Sequence, residues 1–394
     1  MTAVTTAMPT AEQHGIKAHS DGPIVPVQTR SERFKSYDVT DFAPVTGREA
    51  EWRFSPVSRL TDLTGAPLDG SPYAVQATDA ADISVEWVGR DDARIGTAGF
   101  PEERASANAW TGFEKALAIT VAGEGRRELT VVRSGLGSAP RAAHTIIEAK
   151  PFSNAVVILQ STGDARLSEN VEIIVGESAN LTVVSLQEWD DTAVHLASHF
   201  ASIGRDAKLK HVVVSLGGGI VRVNPSVHLA GAGSDIEALG LYFADAGQHL
   251  EQQVYINHDA PHSRSRVTYK GALQGEGART VWIGDVLIGR AATGTDSYEQ
   301  NRNLVLTEGT RADSVPNLEI ETGDIQGAGH ASATGRFDDE QLFYLQARGI
   351  PEGEARRLVV RGFLAEIVQQ IGSPALEERL HQAIEDELRG TEGE

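Results

Sequence analysis

From about Ala116 to Ile325 the chain is a near-continuous succession of short β-branched runs separated by Gly and Asp clusters. Runs such as LAITVAG (117–123), AVVILQST (155–162), VEIIVGESANLTVVSLQEW (171–189) and VTYKGALQGEGARTVWIGDVLIG (267–289) have the length and composition of strands. No helical stretch of a dozen residues separates most of them, which disfavours a sheet built from strand–helix–strand crossovers. Turn-then-strand phrases recur at Gly176, Gly204, Gly233, Gly275 and Glu308, and the first three stand 28 and 29 residues apart. That spacing is one coil of a parallel β-solenoid, in which a turn buries its inner face only by stacking on the next. At roughly 25 residues per coil, with strands stacked about 4.8 Å apart, such a segment makes about eight coils. An antiparallel sandwich or barrel is the competing arrangement.

The flanks read differently. Residues 1–30 mix Thr, Ala, Pro, Gln and His without any period and are expected to form a disordered arm. Residues 31–115 begin with dense aromatics (Phe34, Tyr37, Phe42, Trp52, Phe54) and are expected to be a packed, partly helical unit, with no elements assignable over 61–115. The solenoid core is placed at 116–335 and a helical domain at 336–394. There a first helix is expected over Phe337 to Gln346, and Pro351 is expected early in the second. Ser373 then caps a third, which carries Leu376, Leu380, Ile384 and Leu388 at strict intervals of four. That stripe packs on the chain itself or on a partner.

Composition removes whole classes of function. The chain has no cysteine, so no disulfide, thiolate nucleophile or thiolate-held cluster belongs to it alone. Its formal charge of −20 argues against nucleic-acid binding, which needs a basic face. No apolar stretch approaches the roughly 20 residues of a membrane span, and the first residues lack the pattern of a secretion signal, which together point to the cytoplasm. No Gly-Lys pair exists for a phosphate loop, and neither G-x-S-x-G nor H-E-x-x-H occurs. The several G-x-G pieces, Gly275/Gly277 and Gly327/Gly329 among them, read as tight coil corners.

Histidines remain as metal candidates. His195 and His199 lie in a strand-rich region with no carboxylate at a fixed offset and read as structural, while His258 and His262 flank a loop in which spacing says little. His330 sits in GDIQGAGHASATGRF, without bulky neighbours, so its imidazole is presented from a thin backbone to a partner or metal. An enzymatic alternative is a β-helix lyase or hydrolase acting on carbohydrate, with Asp285, Asp296 and Arg290 as its acid–base groups; few aromatic residues are present for a sugar platform.

The string Val315 to Phe363 resembles the C-terminal signature of the SufB/SufD family of the SUF iron–sulfur cluster assembly machinery. The matching pieces are Pro316, Leu318, Glu319 and Ile320; His330 with Gly335; Glu340 to Leu345 with Arg348 to Ile350; and Gly362 with Phe363. Upstream, GREAEWRF (Gly47 to Phe54) resembles the family's N-terminal element. Length, that element and the absence of cysteine favour the SufD branch.

The resemblance implies a right-handed parallel β-helix flanked by helical regions, in a non-catalytic scaffold subunit. It implies pairing with a SufB-like subunit through the β-helix and docking of a SufC-like ABC ATPase on the C-terminal helices, where Phe343, Tyr344, Arg348 and Phe363 are the expected contacts. It makes His330 a ligand to iron, or to an iron–sulfur cluster shared with the SufB-like partner, with no cofactor bound by this chain alone. Many relatives carry a cysteine two residues before this histidine, where Ala328 stands here. Homodimerisation through exposed β-helix edges is the remaining possibility.

Overall fold

The computed structural model describes residues 30, 33–65, 67–336 and 339–390. The arm expected over residues 1–30 lies outside them, Arg30 excepted. Arg30 is buried, with its guanidinium bonded to Glu102 (3.0 Å) and to the Gln253 carbonyl (2.9 Å).

The strands are β1 (Val75–Ala77), β2 (Ile83–Gly89), β3 (Lys115–Val121), β4 (Arg127–Ser134), β5 (Gly137–Ala149), β6 (Asn154–Gly163), β7 (Ala165–Val175), β8 (Asn180–Trp189) and β9 (Val194–Ile203). There follow β10 (Lys208–Ser215), β11 (Ile220–Leu229), β12 (Asp235–Ala244), β13 (His249–His258), β14 (Arg264–Leu273), β15 (Arg279–Ile288), β16 (Thr295–Val305), β17 (Arg311–Ile320) and β18 (Ile325–Arg336). From β3 onward, even strands stack in parallel as one sheet and odd strands as the other. Two strands per turn make a β-solenoid of about eight turns, as the repeated phrases implied. The antiparallel strands β1 and β2 close its first turn.

The 28- and 29-residue phrases have a direct structural meaning. They lead into β8, β10 and β12, whose registers pair Asn180 with Lys208 and Lys208 with Asp235. The glycines of the phrases sit where one turn crosses the backbone of the turn before. A Cβ on Gly176 would lie 2.8 Å from the Ala149 carbonyl oxygen, and one on Gly204 would lie 3.0 Å from that of Val175. Side chains alternate across each strand, so one set lines the interior and the other faces outward. The interior is mainly Val, Leu, Ile and Ala, because each inner position is roofed by the next turn.

Each outer sheet face has its own cover. Three 3-10 turns (Val39–Asp41, Ala50–Trp52, Val57–Arg59) and helices α1 (Thr61–Gly65) and α2 (Arg104–Gly112) lie over the odd-strand sheet. Trp52 of the GREAEWRF element is buried there. Residues 61–115, unassignable from pattern, thus hold two helices and two strands; these are too short to show a period.

On the even-strand face lie α4 (Glu352–Val368) and α5 (Pro374–Gly390), preceded by α3 (Asp339–Gln346). Leu376, Leu380, Ile384 and Leu388 are all buried against outward residues of the sheet such as Val184, Val212 and Leu241. The stripe is therefore used by the chain's own fold.

Three local expectations change. Pro351 is the N-cap of α4 and lies just before the helix. Ser373 stands at the N-cap position before Pro374, as expected, but its hydroxyl donates to Glu128 (3.1 Å), while Glu377 accepts from the Gly372 N–H (3.0 Å). Gly327 and Gly329 lie inside β18 and not at a corner; a Cβ on Gly329 would touch the Tyr298 ring at 3.4 Å. No helix among the described residues is long and apolar enough to cross a membrane.

Candidate functional site

The last turn of the solenoid has no roof. Both sheets end on strands with a single hydrogen-bonded neighbour, β18 beside β16 and β17 beside β15. The inner face of this turn is half-exposed or exposed, whereas the turns before it are closed. Edge strands of this kind carry a row of unpaired backbone donors and acceptors.

Residues in register on parallel strands point to the same side, so one interior row can be followed along the rod. In the even sheet it reads Leu129, Val157, Val183, His211, Ala238, Val267, Glu299 and His330. This row is apolar at most turns, with His211 in its middle, and ends on two ionisable residues at the open end. His330 is exposed because nothing stacks on it; one turn deeper, Glu299 is 1% exposed.

In the neighbouring interior rows, polar groups at this end bond one another. Tyr242 donates to Asn303 (2.7 Å), Asn301 to the Tyr242 oxygen (2.8 Å) and Asn303 to Asn301 (2.8 Å). Ser332 then donates to Ser314, and Ser314 to Asn301, each at 2.8 Å. Glu299 stands outside this chain, since neither of its carboxylate oxygens has a hydrogen-bond partner. Burial, with Asp285 nearby, pushes its pKa up to about 8. Ala328 pairs with Ser297 and so belongs to the same inward set as His330.

The other sequence candidates are dispersed. Phe343 (72% exposed) and Tyr344 (58%) project from α3 into solvent, with the Arg348 guanidinium 3.8 Å from the Tyr344 ring centroid. Phe363 lies apart from them on α4, half-buried, with the Lys270 ammonium 4.8 Å from its ring centroid. His195 and His199 share the interior but not a site. His195 bonds Glu169 (2.8 Å) and Gln187 (2.7 Å), and His199 bonds His211 (2.8 Å). Burial lowers the His211 pKa to about 4, so that pair is uncharged near neutral pH. His258 is buried between Ser263 and Ser265, while His262 is exposed in a left-handed turn. Asp285 and Asp296 point outward from opposite sheets, which keeps them on opposite sides of the rod. Asp285 accepts from Asn317 (2.8 Å), Asp296 pairs with Arg266, and Arg290 projects from the turn between them. Asp285 and Asp296 therefore do not pair with each other.

Glu299 escaped the sequence reading. Its signal is the alternation Glu299, Asn301, Asn303 in β16, which marks a polar inner face once the phase of the strand is known. Among the described residues no three or more His, Asp or Glu side chains gather as a metal cage.

The SUF system FeS cluster assembly, SufBD core domain, matches residues 132–363 of the chain. An iron–sulfur cluster assembly SufBD family protein of Mycobacterium tuberculosis is 49% identical over 381 residues, covering 92% of this chain and 94% of that protein. One from Mycobacterium leprae is 47% identical over 383 residues, covering 94% and 97%. A second SufBD family protein of M. tuberculosis is 30% identical over 231 residues, 58% of this chain and 27% of that protein. A solenoid whose polar last turn presents His330, matched along most of its length by these relatives, makes this chain a member of the SufBD family of iron–sulfur cluster assembly proteins.

Proposed function

We propose that the chain is a SufD-type scaffold subunit without turnover of its own. It pairs with a SufB-like subunit through the open edges of β17 and β18 and docks a SufC-like ABC ATPase on its C-terminal helical region. At the pairing surface it offers the His330 imidazole to iron or a nascent cluster as cargo. The observation that carries the reading is the position of His330, exposed on the inner row of an unroofed terminal turn. A partner solenoid adding a strand to either edge satisfies the free backbone groups and closes the lumen over that imidazole. With no cysteine in the chain, every protein sulfur ligand there comes from the partner. The −20 charge supports the same picture, since it suits neither a nucleic acid nor an anionic surface.

The test is co-expression with the SufB-like and SufC-like subunits, followed by anaerobic reconstitution and iron analysis. His330→Ala is expected to keep the complex and lower its cluster content at least tenfold. A mutant complex with wild-type iron and sulfide removes His330 from the function. A chain that self-associates and ignores the SufB-like subunit favours the homodimer.

The ATPase dock rests on Phe343, Tyr344 and Arg348, because α4 and α5 bury their own apolar stripe while α3 leaves large aromatics in water. Phe343→Ala with Tyr344→Ala is expected to change stability by less than about 0.5 kcal/mol, since exposed side chains hold little of the fold. Capture of the ATPase subunit, read by surface plasmon resonance, is expected to weaken at least tenfold, as for loss of aromatic anchors. Unchanged capture moves the dock off α3.

A further inference from the structure

We infer that Glu299 is a second protein ligand, beside His330, for a divalent transition-metal cation bound at the open end of the solenoid lumen. The inference rests on the reading of His330 above and adds a residue, a depth and a ligand chemistry to it. In-register pairing of β16 with β18 puts Glu299 and His330 on the same inner face, with Cα atoms about 4.8 Å apart. An ion shared between them would be bound at the ~2.0–2.2 Å bond lengths of imidazole and carboxylate ligands.

The setting of Glu299 is that of a ligand. Its side chain is 1% exposed and both oxygens lack partners, although buried carboxylates are otherwise paired or bound to metal. The polar groups next to it, Asn301 and Asn303, are spent on each other and on Tyr242. Room for the carboxylate is made across the lumen by Gly284. A Cβ there would collide with both Glu299 Oε2 and the Trp282 ring. The Trp282 Nε1–H also lacks an acceptor. Mixed nitrogen and oxygen donors suit first-row divalent ions, ferrous iron among them. Two ligands from one chain form half a site, in keeping with a cargo ion held between subunits.

The experiment titrates anaerobic full-length chain, alone and in its complex with the SufB-like subunit, with Co(II), following tryptophan fluorescence. Co(II) at Glu299 lies against the Trp282 indole and is expected to quench it saturably; Trp282→Phe loses that component. Glu299→Gln, matched in size, and His330→Ala are each expected to weaken Co(II) binding at least tenfold. Wild-type affinity in Glu299→Gln with loss in His330→Ala overturns the Glu299 assignment and leaves the His330 reading standing. Wild-type affinity in His330→Ala sinks the metal-ligand reading of His330 itself. Should Glu299→Gln fail to fold, the wild-type titration still decides. Quenching that persists undiminished in Trp282→Phe places the ion elsewhere and overturns the proposal.

Discussion

Replacing Arg222 by alanine is expected to destabilise the protein by about 3–5 kcal/mol, the usual cost of stripping one member from a buried ion network. The Arg222 side chain is 2% exposed and its guanidinium meets Glu251 at 3.0 Å and Glu103 at 3.6 Å. It also donates to the Glu51 carbonyl (2.8 Å) and lies 4.2 Å from the centroid of the Trp52 ring. One guanidinium therefore joins the odd-strand sheet to the GREAEWRF segment packed on it. Without it, two buried carboxylates lose their cation, and Trp52 loses a cation–π contact.

The pH dependence gives the same prediction a second reading. Burial alone would raise the Glu251 carboxyl, but Arg222 and His249 outweigh it and hold the pKa down at about 2. A folded pKa below the unfolded value adds stability above the unfolded pKa, near 4.3 for Glu. That stability is lost as pH falls toward 2. Urea denaturation at pH 7 and pH 3 should show the wild-type advantage over Arg222→Ala shrinking at the acid end. A gap below about 1 kcal/mol at pH 7 would mean that the network is not what holds the N-terminal cover.

Gly240→Ala and Gly271→Ala are each expected to cost about 3 kcal/mol or more, at or above the upper end for overpacking. The registers pair Gly240 with Tyr269 and Tyr242 with Gly271 across β12 and β14. Each tyrosine ring fills the volume left by the glycine opposite, and a Cβ at either glycine would stand well inside van der Waals contact of that ring. Tyr242 and Tyr269 are fully buried in a stack whose turns cannot separate without losing their ladder. Thermal melts give the readout, and a midpoint within about 2 °C of wild type would show that the stack relaxes where it looks rigid.

The solenoid was legible because its signal is repetitive: β-branched runs of similar length, and glycines at near-constant intervals where backbones cross. The buried stripe of α5 was legible for the same reason, a strict period of four. Residues 61–115 were not, since strands of three and seven residues and a nine-residue helix are shaped by the sheet they cover. At the site, His330 stood out through its motif and thin surroundings. Glu299 did not, because a carboxylate in a strand reads as solvent-facing until its phase is set by the turns above and below.

Pattern and composition were enough to set the class of fold, the covering helices at the C-terminal end, and the absence of any thiolate of the chain's own. Its pattern and motifs also placed the chain near the right family. It took the stacking of the turns to settle which side chains share the lumen, that the stripe of α5 is consumed by the even-strand sheet, and that the last turn is left without a roof. Periodicity reports which residues face a core. Register between strands about 30 residues apart reports which of them meet, and that depends on how the turns stack.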